Sequence, residues 1–416
     1  MRRTKTNNIV KTMKLRIHPD AAASKQLAAL TKRYAEACNL VSQYAFDHGV
    51  MTDSNTLQRA LYHDVRDQFG LKSQLTCSVM KTVAARYKTV KEQLRMNPYK
   101  YEDEDGNKVY IQRTLEWLWK PIQFRRPQAD LARGRDYSFV TEGSKTLLSL
   151  NTLDKRVEVS FDVPKVFKEY FKGGWKFGTG KLVQLKGNWY FHIPMTKKAE
   201  EYDISTTKHI VGIDRGLRFL STSYDETGKT AFVDGRAIMR KRDTFQAVRS
   251  QLQAKRTKSA KRALKRISGR ENRWMTDVNH RLTKTLVQKY GPNTLFVLED
   301  LTGASFDEDT LSHRNKKGRK QLRTWAFYQY EQFLTYKAHA AGSKVVKFQS
   351  DYTSQRCPKC GRIHKENRKH NRHEYICDCC GYRSNDDRIA AMNIQFLGMQ
   401  YLAGDPEPKF SVPTEE

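Results

Sequence analysis

Residues 357–380 hold five of the chain's seven cysteines, arranged as two knuckles, Cys357-Pro-Lys-Cys360-Gly and Cys377-Asp-Cys379-Cys380-Gly. Doubled Cys-x-x-Cys turns bring four thiolates to tetrahedral spacing, the donor set of a structural zinc ion. Within the second knuckle, Cys377 and Cys380 leave two residues between them and are followed by Gly381, matching Cys360 and Gly361, so Cys379 is read as a bystander. His364, His370 and His373 lie between the knuckles, and a histidine replacing one thiolate is the alternative ligand set. A four-thiolate site has no open coordination position; it folds a small ribbon and leaves the chemistry to other residues. Cys38 and Cys77 stand alone and read as small buried apolar residues.

Charge points to the partner. Lys and Arg number 76 against 45 Asp and Glu, a net charge of +31 in 416 residues. A compact state with that self-repulsion calls for a polyanion, and nucleic acid is the leading choice. A membrane is the competitor, but there is no run of about 18 apolar residues, and the start "MRRTKTNNIVKTMKLRIHPD" lacks the apolar core of a signal peptide. The expectation is a soluble, cytoplasmic protein without a membrane partner.

Periodicity divides the chain. Residues 9–17 alternate like a strand, whereas Leu27, Leu30, Tyr34, Cys38, Val41 and Ala45 form one helical stripe, and Leu75, Val79, Val83, Tyr87, Val90 and Leu94 form another. "VEVSFDVP", "KLVQLKGNWYFHIPM" and "TLEWLWKPIQFRR" read as antiparallel strands. The result is an α+β multidomain chain: an antiparallel β-barrel from residues 1–17 and 96–204, carrying a helical insertion at 18–95. Trp117, Trp119, Trp189, Tyr190 and Phe191 lie among Lys120, Arg125, Arg126, Arg133, Arg135, Lys181 and Lys186, a mixture suited to stacking on bases and neutralising phosphates.

From residue 205 the order is strand, strand, strand, helix, strand, helix, strand, helix, with residues 236–290 read as long helix. There Arg240, Lys241, Arg242, Arg249, Lys255, Arg256, Lys258, Lys261, Arg262, Lys265, Arg266 and Arg270 face almost no acids, which assigns this stretch to nucleic acid. A second basic cluster at 312–323 reads as a loop of the same module. The Pro-rich, acidic segment 401–416 reads as a disordered tail.

Carboxylates at the ends of buried strands are the candidates for chemistry: Asp214 in "VGIDRG", Glu299 in "FVLEDL", and one of Asp386 and Asp387 at the start of the last helix, the other serving as a cap. If they converge, they form a hard oxygen site for Mg2+ or Mn2+, able to act on a phosphodiester.

The motifs "GIDRG", "VLEDL", "TSQRCPKCG", "CDCCGYRSNDD" and "AAMNI", in this order, resemble the RuvC-type nuclease half of TnpB, the RNA-guided nuclease of bacterial insertion sequences, and of the compact type V CRISPR effectors. The resemblance covers residues 205–400. It implies an RNase H-like nuclease domain at 205–350 and 386–400, interrupted by a zinc ribbon at 351–385, with the barrel as a wedge-type domain and the helices as a recognition domain. It places the metal-binding, catalytic acids at Asp214, Glu299 and Asp387, and the third motif also takes in Ala390, Ala391, Asn393 and Ile394. One departure is Ile389, where the family carries Asn. The implied partners are a guide RNA and double-stranded target DNA, with the protein acting as a monomer or as a homodimer on one RNA, nucleoid-associated when bound to DNA. The rival readings are a transposase-like DNA strand transferase and a non-catalytic, guide-directed nucleic-acid-binding protein; the intact acids favour the enzyme.

Overall fold

Alternation of buried and exposed side chains makes β1 (Asn8–His18) a half-buried strand, with Met13, Leu15 and Ile17 turned inward. Asp20 then accepts a hydrogen bond from the Ala23 N–H and starts helix α1 (Ala21–Asp47). Helix α2 (Ser54–Phe69) is capped by Asp53 and closed by Gly70 in the left-handed conformation, and α3 (Ser73–Arg95) follows. The computed structural model describes residues 8–143, 145–301, 327–349, 351–369 and 372–411. The basic cluster at 312–323 and His370 lie outside them.

The chain divides into two compact units, Val10–Lys197 and Met1–Ile9 with Lys198–Glu416. In the first, β2 (Tyr99–Glu102) and β3 (Lys108–Ile111) form a separate hairpin. The main sheet adds β4 (Gln128–Leu131), β5 (Tyr137–Glu142), β6 (Lys145–Leu150), β7 (Val157–Asp162), β8 (Lys176–Phe177), β9 (Gly180–Leu185) and β10 (Asn188–Lys198). Its order is β4-β9-β10-β1-β7-β6-β5, with β8 beside β10. Among the described residues the end strands are not joined by a ladder, and the isolated bridge Arg133–Tyr137 lies there. The barrel expected from sequence is therefore a curled half-barrel sheet. Residues 114–126, read above as a strand, form a short turn of 3-10 helix at Leu115–Trp117 followed by irregular backbone.

Helices and sheet share one core in this unit. Leu27, Leu30 and Tyr34 of α1, Val79 and Val83 of α3, Leu131 of β4 and Phe191 of β10 pack together, and the Trp189 indole N–H donates to the Ser24 hydroxyl at 2.9 Å. The helical stretch 18–95 is thus one wall of the half-barrel's core. Trp189 and Phe191 are core residues, while Trp117 and Trp119 are exposed.

The second unit is built on a five-stranded sheet of β11 (His209–Asp214), β12 (Phe219–Tyr224), β13 (Thr230–Asp234), β14 (Thr294–Glu299) and β15 (Lys344–Phe348). Its order is β13-β12-β11-β14-β15; the first three strands are antiparallel, and β11, β14 and β15 run parallel. The stretch 236–290, expected as one long helix, is three: α4 (Arg236–Ala254), α5 (Lys258–Ile267) and α6 (Arg270–Tyr290). The first break follows Ala254, where Thr257 caps α5, and the second is at Gly269, held at φ 73°. Helix α7 (Phe327–Ala340) precedes β15. A small sheet of β16 (Arg368–Lys369), β17 (Glu374–Ile376) and β18 (Arg383–Asn385) leads into the last helix, α8 (Asp386–Leu402).

Helix α8 extends two residues into the segment expected to be disordered, and beyond it Phe410 is buried, stacking on Phe396. The expectation of a tail without structure is corrected as far as residue 411, because this apolar ring covers the helix. No described helix is long and apolar enough to cross a membrane.

Helix α8 meets the sheet at two glycines. A Cβ on Gly212 of β11 would stand 2.3 Å from both the Ala391 carbonyl oxygen and the Gln395 nitrogen, and one on Gly398 would meet Val297 of β14 at 2.5 Å. Only hydrogen fits at such a crossing. Gly212→Ala is expected to lift the helix and destabilise the fold by about 1–3 kcal/mol, the usual range for overpacking, measurable as a lower denaturant midpoint.

Candidate functional site

The parallel register of β11 and β14 pairs Ile213 with Leu298, so the next residues, Asp214 and Glu299, end neighbouring strands at the same edge of the sheet. Helix α8, seated on Gly212, brings its second residue to that edge. Asn385 caps this helix, accepting from the N–H groups of Asp387 and Arg388 at 3.1 Å, so the Asp387 carboxylate is not the cap.

All three acids have raised proton affinity, and Asp214 feels the charges of the other two. Burial first, then the charges of Glu299 and Asp387, push Asp214 well above the ordinary carboxylate range. Burial also raises Glu299, against the opposing hydrogen bond from the Thr353 hydroxyl. Asp387 is pushed up to about 6, by burial and then by its neighbour Asp386. Crowded carboxylates with raised proton affinity are hard oxygen donors of the kind that favour a divalent cation such as Mg2+ or Mn2+. Among the described residues, the carboxylate group whose ligand atoms all lie within 4.8 Å of one another is a different one, His373, Asp386 and Asp387.

Two arginines complete the edge. Arg215, side chain 1% exposed, donates to the Glu299 carbonyl oxygen at 2.6 Å and approaches Glu331 of α7 at 3.7 Å, pinning the two strand ends together. Arg368, from β16, places its Nε 3.1 Å from Asp386 and its Nη2 3.9 Å from Asp387, and its charge draws down the proton affinity of all three acids. Reading the sequence did not single out either arginine. Arg215 had a signal, since it directly follows Asp214 in "GIDRG". Arg368 had none, because "RKHNR" reads as one more solvated basic run.

The four sulfurs of Cys357, Cys360, Cys377 and Cys380 lie within 4.8 Å of one another. Cys357 and Cys380 are 3.6 Å apart, as are Cys360 and Cys377, close to the roughly 3.8 Å edge of a tetrahedron with Zn–S of about 2.3 Å. The Arg362 N–H leads in holding the Cys360 thiol down to about 7, toward the thiolate a metal needs. Cys379 is exposed and outside the set, and among the described residues no histidine joins it.

Asn393 joins this ribbon to α8. Fully buried, it donates to the carbonyl oxygens of Thr353 and Arg356 at 2.7 and 2.8 Å, and its own oxygen accepts from the Arg356 guanidinium at 3.0 Å. Ile389, the departure noted above, is also fully buried, packed with Cys357, Tyr375 and Cys377.

Of the basic residues, Arg240, Lys241, Lys255, Arg256, Lys258, Lys261, Arg262, Lys265 and Arg266 are exposed on α4, α5 and the turn between them, as are Lys120, Arg125 and Arg126 in the other unit. Arg242 is the exception. It is buried, 3.4 Å from Glu271 of α6, so the expectation that it contacts nucleic acid is corrected: it faces the helix packing.

A family model described as "Cas12f1-like, TNB domain" matches residues 327–394, and one described as "Probable transposase" matches residues 192–305. A CRISPR-associated endodeoxyribonuclease Cas12f1 of Syntrophomonas palmitatica is 30% identical over 249 residues, 56% of this chain and 48% of that protein. The chain thus spans about half the length of this relative. TnpB-like protein MJ0751 of Methanocaldococcus jannaschii is 29% identical over 210 residues, 48% of this chain and 72% of that protein. The solved structure of a Cas12f1-sgRNA-target DNA complex shares the fold, with a TM-score of 0.62 at 13% identity, covering 94% of this chain and 99% of that one.

Two outcomes follow from this geometry. Cys377→Ser should remove bound zinc, while Cys379→Ser should leave it in place, as read by elemental analysis of the purified protein. For Asp387, the folded chain holds a proton that the unfolded chain releases between about pH 4 and the folded value of about 6. Ionisation therefore destabilises the ion-free fold as pH rises through that window. Asp387→Asn should raise stability at pH 7.5 by up to about 3 kcal/mol, a gain that shrinks as pH falls toward about 4 in denaturant titrations without added magnesium.

Proposed function

We propose that this chain, a relative of the TnpB proteins and the compact type V effectors, is an RNA-guided DNA endonuclease with one divalent-metal site formed by Asp214, Glu299 and Asp387. The observation that carries the reading is the placement of Asp214 and Glu299 at adjoining ends of the parallel strands β11 and β14, with Asp387 of α8 close enough for its charge to raise the proton affinity of Asp214. The sheet order, three antiparallel strands followed by two parallel ones, supports assigning the unit to the RNase H-like fold. The relatives are named as endodeoxyribonuclease and TnpB-like protein, and the structural neighbour is a complex with guide RNA and target DNA.

Magnesium or manganese ions held there would activate a water and stabilise the leaving oxygen of a phosphodiester. The chain's own residues do the rest. Arg215 fixes the strand ends that carry Asp214 and Glu299. Arg368 supplies a fixed cation beside the acids, which a phosphodiester entering an anionic site requires. Exposed cations of α4 and α5 bind the backbone of the guide-target duplex, whose pairing reads the sequence. Lys120, Arg125 and Arg126, among exposed Trp117 and Trp119, hold nucleic acid on the other unit, and this unit reads the short duplex motif beside the target. The zinc held by the four cysteines keeps the ribbon folded.

The match to a family described as a probable transposase favours a second reading, DNA strand transfer without RNA. To separate the two, RNA copurifying with the protein would be sequenced and the complex given matching DNA with Mg2+. The proposal expects RNA-dependent cleavage, reduced at least about a hundredfold by Asp214→Ala, since a metal ligand contributes several kcal/mol. Joined DNA products formed without RNA would establish strand transfer instead, and cleavage by Asp214→Ala at the parent rate would refute the site.

A further inference from the structure

Asp386 is an unusual neighbour for a metal-binding acid. It is 1% exposed, adjacent in sequence to Asp387, and not required as the helix cap, a role Asn385 fills. Its Oδ1 accepts from the N–H of Asp387 at 3.0 Å, and its charged partners come from the ribbon: Arg368 Nε at 3.1 Å on Oδ2 and His373 Nδ1 at 3.7 Å on Oδ1. The same guanidinium reaches toward Asp387 with Nη2, but at 3.9 Å, beyond hydrogen-bond length.

Buried carboxylates need a hydrogen-bonded cation, and here the buried acid and the more open one compete for a single arginine. The side-on contact through Nε goes to Asp386. This anchors the planar group and leaves Nη2 directed at the acids without closing a direct pair on Asp387. Among the described residues the acids facing the Arg368 guanidinium are Asp386 and Asp387, so without the Asp386 charge it is drawn toward Asp387. A closed Arg368–Asp387 pair would occupy a carboxylate that the divalent ion needs.

We propose that Asp386 is a positioning residue, which holds Arg368 beside the catalytic acids while keeping Asp387 free to bind metal. The inference rests on the metal-site reading given above. It also gives the ribbon a role in the site: Arg368 lies on β16, His373 precedes β17, and Asp386 follows β18, so all three strands of the ribbon sheet meet at this one carboxylate.

The test uses the full chain with its copurified RNA and four proteins: parent, Asp386→Asn, Arg368→Gln and the double variant. Two quantities are read, DNA cleavage against Mg2+ concentration and the Mg2+-dependent rise in melting temperature, with zinc content confirming that the ribbon is intact. Asp386→Asn should weaken apparent Mg2+ affinity about 10- to 100-fold, the usual range for residues that orient metal ligands. In the Arg368→Gln background the same change should have little effect, under about threefold, because its route of action is gone. An equal loss in both backgrounds would overturn the proposal and make Asp386 a direct ligand or a fold residue. Unchanged affinity in the single variant would overturn it as well. If the parent cleaves no DNA but still shows the Mg2+-dependent melting shift, the nuclease reading fails while that shift still decides the role of Asp386.

Discussion

The seating of helix α8 directly on strand β11 is the constraint from which the site follows. Backbone touches backbone at Gly212, where even a methyl group would overlap the Ala391 carbonyl oxygen and the Gln395 nitrogen. Ala390 and Ala391 keep the helix side of the crossing thin, and Gly398 repeats the close approach two turns later against Val297. A helix held this closely cannot roll or slide by much without a clash. Its first turn is therefore fixed over the strand ends, and Asp387 is delivered to Asp214 by packing.

Packing alone would produce an arrangement in which like charges repel. Three carboxylates share one edge of the sheet, and all three have raised proton affinity. Two arginines offset part of that repulsion in different ways. Arg215 is deeply buried and spends its hydrogen bonds on the main-chain carbonyls of Glu299 and Phe327, so it fixes geometry more than it neutralises the acids. Arg368 is partly open and comes from the ribbon, so the charge balance of the edge depends on a segment far away in the fold's strand order. The remaining unmet repulsion is what a divalent cation would relieve.

Much of this was legible from the residues because it is written in local patterns. Buried strands ending in acids, paired knuckles with two-residue spacing, and the strand-helix alternation after residue 205 each depend on near neighbours, and Cys377 with Cys380 was separable from Cys379 by spacing alone. What escaped depends on contacts between distant segments. Whether the long basic stretch is one helix or three turns on Gly269 and the Thr257 cap, weak signals within a strongly helical composition. Arg242 looks like its basic neighbours, and only its approach to Glu271, 29 residues on, turns it inward. The half-barrel looked closed because alternation reports that strands exist, whereas closure requires a ladder between the two end strands. Phe410 lies in a Pro-rich, acidic segment whose composition gives no hint of the helix face it covers.

The position of the ribbon between β15 and α8 explains why thiolates and carboxylates crowd into one short segment. The ribbon has three strands of two or three residues, too little to bury a core of its own, so its order comes from the four cysteines and the ion they suit. Its contacts with α8 are polar and specific: Asn393 joins the Thr353 and Arg356 carbonyls, and Asp386 holds Arg368. Ile389 supplies the apolar contact, seated between the two knuckles beside Tyr375. Ile389 is a side chain that can only pack, so the joint between ribbon and helix relies on the surface of the two knuckles being in place. A ribbon that lost its metal would lose the surface against which Ile389 is buried, and with it the strand that presents Arg368. A metal at the four cysteines, with no chemistry of its own, would thereby contribute to the electrostatics of the acidic edge.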